Sequence, residues 1–87
     1  MEFPIYLVTQ ADVIAVSKIA GGIPGVVKVT INSEGFEIDA RSLMGIYSLN
    51  LSDPVTLKMS SDYEVNYDYY KSLFTKWITE EKAHEDS

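Results

Sequence analysis

The sequence predicts an α+β fold, an open-faced sandwich in which a four-stranded antiparallel sheet carries three helices on one face, in the order βαββαβα. Two observations lead there. Short runs of β-formers alternate apolar and polar residues, the period of strands with one buried and one wet face. Helix-length segments lie between the first and second runs, between the third and fourth, and after the fourth. Strand–helix–strand connections that share one sheet place their helices on a common side.

Phe3 to Val8 is the first run, and Pro4, which has no N–H to give a ladder, belongs near a strand end or on an edge. Thr9-Gln10-Ala11-Asp12 then offers polar caps to Val13–Ala20, where Val13, Val16 and Ala20 share a helical face. The β-branched residues weaken this helix, and Gly21-Gly22 with Pro24-Gly25 predict that it is short and ends in a loop. Val26 to Ile31 alternates, with Val27, Val29 and Ile31 on one face and Val26, Lys28 and Thr30 on the other. Asn32-Ser33-Glu34-Gly35 is turn chemistry, with Gly35 suited to positive φ, and Phe36-Glu37-Ile38-Asp39 resumes the alternation with Phe36 and Ile38 inward. These two runs predict a hairpin.

Asp39 to Leu51 reads as a short helix of about seven to nine residues capped by Ser42. Its Leu43, Met44, Ile46, Tyr47 and Leu49 are more apolar side chains than so short a helix can bury. Ile46 and Leu49 are expected inside; Leu43 and Tyr47 are expected partly exposed. Ser52-Asp53-Pro54 breaks the chain before Val55–Met59, the fourth strand. After caps at Ser60-Ser61-Asp62, residues Tyr63, Tyr67, Tyr70, Leu73, Phe74, Trp77 and Ile78 fall within an arc of roughly 140° at helical pitch. This spacing predicts the longest helix of the chain, with its tyrosines in the core and Tyr69 at the edge of the arc.

Eighty-seven residues with 46% hydrophobic side chains close one small core, so a single domain is expected over 1–87, with about 80–87 as a charged, solvated tail. Seven Lys and Arg against thirteen Asp and Glu leave a net charge of -6, which repels nucleic-acid phosphates and anionic lipid. Neither nucleic acid nor membrane is an expected partner. The absence of Cys excludes disulfides, a thiolate metal site and a Cys nucleophile. The N-terminal run has no basic flank and turns polar at Thr9, so it is neither a signal peptide nor a span, and a cytoplasmic protein is expected.

No residues have metal-ligand spacing, and no metal, cofactor or enzymatic activity is expected. Gly21-Gly22-Ile23-Pro24-Gly25 is glycine-rich but has no following Lys-Ser or Lys-Thr and leads into a strand, unlike a phosphate loop. Glu37 and Asp39 read as a solvated sheet face. The single histidine, His84, lies in the charged tail.

Ser42-Leu43-Met44-Gly45-Ile46-Tyr47-Ser48-Leu49 resembles the second-helix signature of HPr, the histidine phosphocarrier family of the bacterial sugar phosphotransferase system. The close match runs from Ile31 to Leu49, while the element order agrees along the whole chain. The resemblance implies the open-faced sandwich. The family's His-Ala-Arg-Pro run at the start of the first helix is absent. Its histidine position falls at Ala11 by ungapped counting from Ser42, or at Gln10 after a one-residue slip. The slip resembles the Crh-like branch, in which glutamine replaces the histidine. The resemblance also implies that Ser42 is a regulatory phosphorylation site for an ATP-dependent HPr kinase. Leu43, Met44 and Tyr47 would be docking residues for protein partners: that kinase, a transcriptional regulator or phosphotransferase components. Two alternatives stay open. One is a phosphocarrier that uses another acceptor such as Asp12; the other is a degenerate structural domain that pairs with a second copy as a homodimer.

Overall fold

The computed structural model describes residues 1–80 and has the predicted fold class. The elements are β1 (Glu2–Ile5), α1 (Gln10–Gly22), β2 (Val27–Ser33), β3 (Phe36–Asp39), α2 (Leu43–Tyr47), β4 (Val55–Ser61) and α3 (Tyr67–Ser72), with a 3₁₀ turn at Thr75–Trp77. The strands lie in the order β1-β4-β2-β3 and all pairings are antiparallel. The two long strands, β2 and β4, are paired at the centre from Val27↔Ser61 to Asn32↔Thr56.

Alternation decides the inner face. Val27, Val29 and Ile31 of β2, and Val55, Leu57 and Met59 of β4, are all buried, as are Phe3 and Ile5 of β1. The helical layer meets them with Val13, Val16 and Ala20 of α1, Ile46 of α2, and Phe74 and Trp77. Each such valine, leucine, isoleucine, methionine or phenylalanine contributes about 1.5–3 kcal/mol when fully buried. On the open face Lys28, Glu37 and Lys58 are exposed. Thr30 was expected to be exposed with them, yet it is buried, because β2 is central and Thr30 lies between its register partners Lys58 and Asp39. The hairpin turn has φ 51° at Glu34 and 84° at Gly35, so both turn residues are left-handed, as two-residue hairpin turns require.

Several sequence expectations need correction. β1 stops at Ile5 rather than reaching Val8, because the next residues leave the ladder to cap α1. α1 is the longest helix, at 13 residues, and it continues through Gly21-Gly22. Its start is fixed by a capping box: the Thr9 hydroxyl accepts the Asp12 N–H (3.2 Å), and the Asp12 carboxylate accepts the Thr9 N–H (3.0 Å). Burial of Val13, Val16 and Ala20, with buried Ile23 closing the end, outweighs its poor intrinsic propensity.

The long C-terminal helix does not form. β4 extends to Ser61, whose hydroxyl accepts the Tyr63 N–H, so Ser60-Ser61-Asp62 is not a cap. Asn66 caps a six-residue α3 instead. Ser72 and Thr75 donate their hydroxyls to the Tyr69 and Ser72 carbonyls, and such bonds compete with helix continuation. Beyond the 3₁₀ turn the chain is extended and pairs with the outer edge of β1: Tyr6 N–H donates to the Trp77 carbonyl (2.8 Å) and Thr79 N–H to the Pro4 carbonyl (3.1 Å). A straight helix would leave that edge open. Tyr63 and Tyr69 are exposed, while Tyr67 and Tyr70 pack against the core. Phe36, expected inward, is 66% exposed, because β3 is a terminal strand and α2 covers it at Ile38 rather than at the turn. The tail expected over 80–87 reaches the described residues only at exposed Glu80; 81–87, with His84, lie outside them. Among the described residues no helix is long and apolar enough to cross a membrane.

Candidate protein-docking site

The site is built around α2 and the start of α1. The entry to α2 is held from three sides. Ala40 is buried and donates its N–H to the Val29 carbonyl (3.0 Å), Ser17 Oγ donates to the Arg41 carbonyl (3.2 Å), and Asp39 accepts the Arg41 N–H (2.8 Å). The Arg41 guanidinium donates through Nη2 to the carbonyls of Ile23 (3.0 Å), Val27 (3.1 Å) and, more weakly, Pro24 (3.4 Å). α1 has no basic residue in its last turn, so Arg41 brings the cation to that negative helix end from a distant part of the chain. No local signal in the sequence marks Arg41 for this role, since only the fold brings it to those carbonyls.

Ser42 caps α2 as expected: its Oγ accepts the Gly45 N–H at 3.2 Å. Glycine permits this close approach, since a Cβ at position 45 would lie 3.0 Å from Ser42 Oγ. α2 itself has five residues, fewer than expected. Ser48 N–H turns back to the Met44 and Gly45 carbonyls, and Ser48 Oγ donates to the Gly45 carbonyl at 2.6 Å, closing the helix early.

Only Ile46 of α2 is fully buried. Met44 is 76% exposed and Tyr47 38%, three residues apart on one side of the helix, while Leu43 and Leu49 are half-buried against the core. Leu49 was expected inside; it follows α2 in the closing turn and packs at the margin. Tyr47 also forms one wall of an open groove of about 420 Å³, with Leu51 and Ser52 beside it and Val8, Thr9 and Gln10 opposite. Val8 is 69% exposed. Gln10 and Ala11, the two positions at which the resemblance puts a histidine, are exposed in the first turn of α1. From Ser42 to Ser52 there is no charged residue, in a chain of net charge -6. The surface is therefore an uncharged strip on an acidic protein, with the exposed Met44 and Tyr47 set among Ser42, Ser48, Asn50 and Ser52, a mixture suited to a protein contact.

Asp12 borders the groove, and both its oxygens are engaged. Oδ2 accepts from Val8 N–H (3.1 Å) and Thr9 N–H (3.0 Å), and Oδ1 accepts from the Trp77 indole (3.0 Å). The indole donor first, then the backbone amides, hold its carboxyl below the ordinary value. The cap is legible in the sequence; the indole, 65 residues away, is not. A smaller depression of about 180 Å³ is lined by Lys28, Glu37, Asp39 and Arg41, among others, but its charges face one another at 3.9 Å in both the Lys28–Glu37 and Arg41–Asp39 pairs. Among the described residues no group of three or more His, Asp or Glu could hold a metal ion. No protein-family model and no curated protein matches this chain.

Proposed function

We propose that this chain is an HPr-like protein without a phosphocarrier histidine: a bacterial, cytoplasmic, non-enzymatic regulator of the Crh type that acts by protein–protein contact through α2, under control of phosphorylation at Ser42. The observation that carries the reading is the exposed Met44–Tyr47–Val8 surface beside a serine cap, in a fold whose element order is that of the resembling family. Exposure of the Ser42 side chain at a helix start is compatible with kinase access, and a phosphate there would add about two negative charges to an otherwise uncharged strip. That change is large enough to alter partner choice. Partners of this surface would be the kinase itself, a transcriptional regulator or phosphotransferase components.

The alternative acceptor, Asp12, is disfavoured by its geometry. A phosphoryl acceptor needs a free, nucleophilic oxygen, and both Asp12 oxygens accept hydrogen bonds that hold the fold together. The test is the intact mass of the protein after incubation with phosphoenolpyruvate and enzyme I, and separately with ATP and HPr kinase. The expected result is one phosphate from the kinase route alone, lost in Ser42→Ala. Phosphate from the phosphoenolpyruvate route, or none from either, overturns the proposal.

A further inference from the structure

The chain has no cysteine, so its sulfur chemistry rests on three methionines. The fold sorts them sharply. Met59 is fully buried in β4, and Met1 is 43% exposed with its terminal ammonium tied to the Met59 carbonyl at 3.0 Å. Met44 is 76% exposed, the most exposed large apolar side chain among the described residues. It stands on a five-residue helix, two residues from the Ser42 cap, within the uncharged strip. A thioether in that setting meets solvent oxidants without any opening of the protein.

We propose that Met44 is a reversible oxidation site, converted by peroxide to the sulfoxide in the folded protein ahead of the other methionines. The sulfur lone pair attacks one peroxide oxygen, the O–O bond breaks, and the second oxygen leaves as water after proton transfer; sulfur is oxidised by two electrons and the peroxide is reduced by two. The product replaces a flexible apolar thioether with a polar, chiral group at the middle of the exposed strip. Since Ile46 alone supplies the full burial of α2, the helix keeps its seat. On the docking function proposed above, on which only this consequence rests, the sulfoxide weakens apolar contacts made through Met44 and Tyr47.

The experiment is peptide-mapped mass spectrometry of the native protein during hydrogen peroxide treatment, with a guanidinium-unfolded sample and the Met44→Leu variant alongside, followed by incubation with methionine sulfoxide reductases. The expected result is a first 16 Da addition on the Met44 peptide, at about twice the Met1 rate if rate follows exposure. Met59 is spared until the protein is unfolded, Met44→Leu loses the first addition, and the reductases reverse it on the folded chain. Equal or faster oxidation of Met1 or Met59 in the native protein, or a Met44 sulfoxide that the reductases cannot reach, overturns the proposal. The two failures separate. Selective Met44 oxidation in a protein that HPr kinase never phosphorylates removes the docking function and keeps the oxidation site.

Discussion

Replacement of Ile46 and Met44 by alanine, one at a time, tests the division of α2 into an inner anchor and an outer docking surface. Ile46 is fully buried and is the only residue of α2 that is. Its truncation removes three carbons from a packed site, which costs about 2–5 kcal/mol, with about 3 kcal/mol as the central expectation. A chain of 87 residues has a total stability of about 4–13 kcal/mol, so this single change removes a large share of it. At about 4–8 °C per kcal/mol for a domain of this size, the melting temperature falls by about 12–24 °C. Met44, at 76% exposure, has roughly a quarter of its side chain buried, which gives about 0.5 kcal/mol, and the better helix propensity of alanine offsets part of that. The assay is urea unfolding followed by Trp77 fluorescence and far-ultraviolet circular dichroism, with the denaturant slope required to stay constant. The reasoning is refuted if Met44→Ala costs more than about 1.5 kcal/mol, or Ile46→Ala less than about 1 kcal/mol, since either value lies outside these burial estimates. In that event the Met44–Tyr47 side of α2 is packing surface, and the docking site loses its basis.

Asp12 has its carboxyl held below the ordinary value in the folded state, so it stabilises the protein above the unfolded value of about 3.9, and that contribution is lost as the pH falls through the lower folded one. Urea midpoints of the parent and Asp12→Asn should therefore differ by a constant amount at neutral pH and converge below about pH 4; a difference undiminished at the acid end refutes the linkage. Trp77→Phe keeps an aromatic ring, smaller than the indole, and removes the N–H donor, so an NMR titration should show the Asp12 carboxyl rising toward its ordinary value. Arg41→Met leaves the Ile23 and Val27 carbonyls without their donor and should cost about 1–3 kcal/mol in thermal unfolding, of which Arg41→Lys recovers less than half because the lysine ammonium ends one bond short of the Nη2 position that reaches both carbonyls. Gly45→Ala should give none of the roughly 1 kcal/mol gain expected for alanine in a helix, because its Cβ crowds Ser42 Oγ at 3.0 Å and Ser42 Cβ at 3.3 Å; in a Ser42→Ala background, which removes the first contact and keeps the second, part of that gain should reappear, which a double-mutant cycle reads directly.

The strands could be read from the chain because their cause is local. The alternation Val27-Val29-Ile31 and Val55-Leu57-Met59 fixes which face is buried whatever the neighbours are, and both triplets lie in the core. The α2 cap could be read for the same reason, since Ser42 and Gly45 are three residues apart. The helices were less legible. The apolar spacing from Tyr63 to Ile78 fits one long helix, but Asn66, Ser72 and Thr75 make local hydrogen bonds, and the free edge of β1 supplies the backbone partners that draw the chain past Trp77 into an extended path. The weak-looking segment Val13–Ala20 became the longest helix because packing on the sheet exceeds propensity.

By itself the sequence determined the class of fold, the inner face of the sheet, the cap and apolar character of α2, and the absence of histidine from the segment that opens α1. Those properties follow from residue type and short-range period. Tertiary structure alone decided the strand order β1-β4-β2-β3, the Arg41 contacts to the carbonyls of Ile23 and Val27, and the Trp77–Asp12 bond. Each of these depends on groups far apart in the chain meeting in space. No periodicity encodes such meetings, because they form only when the whole core closes at once.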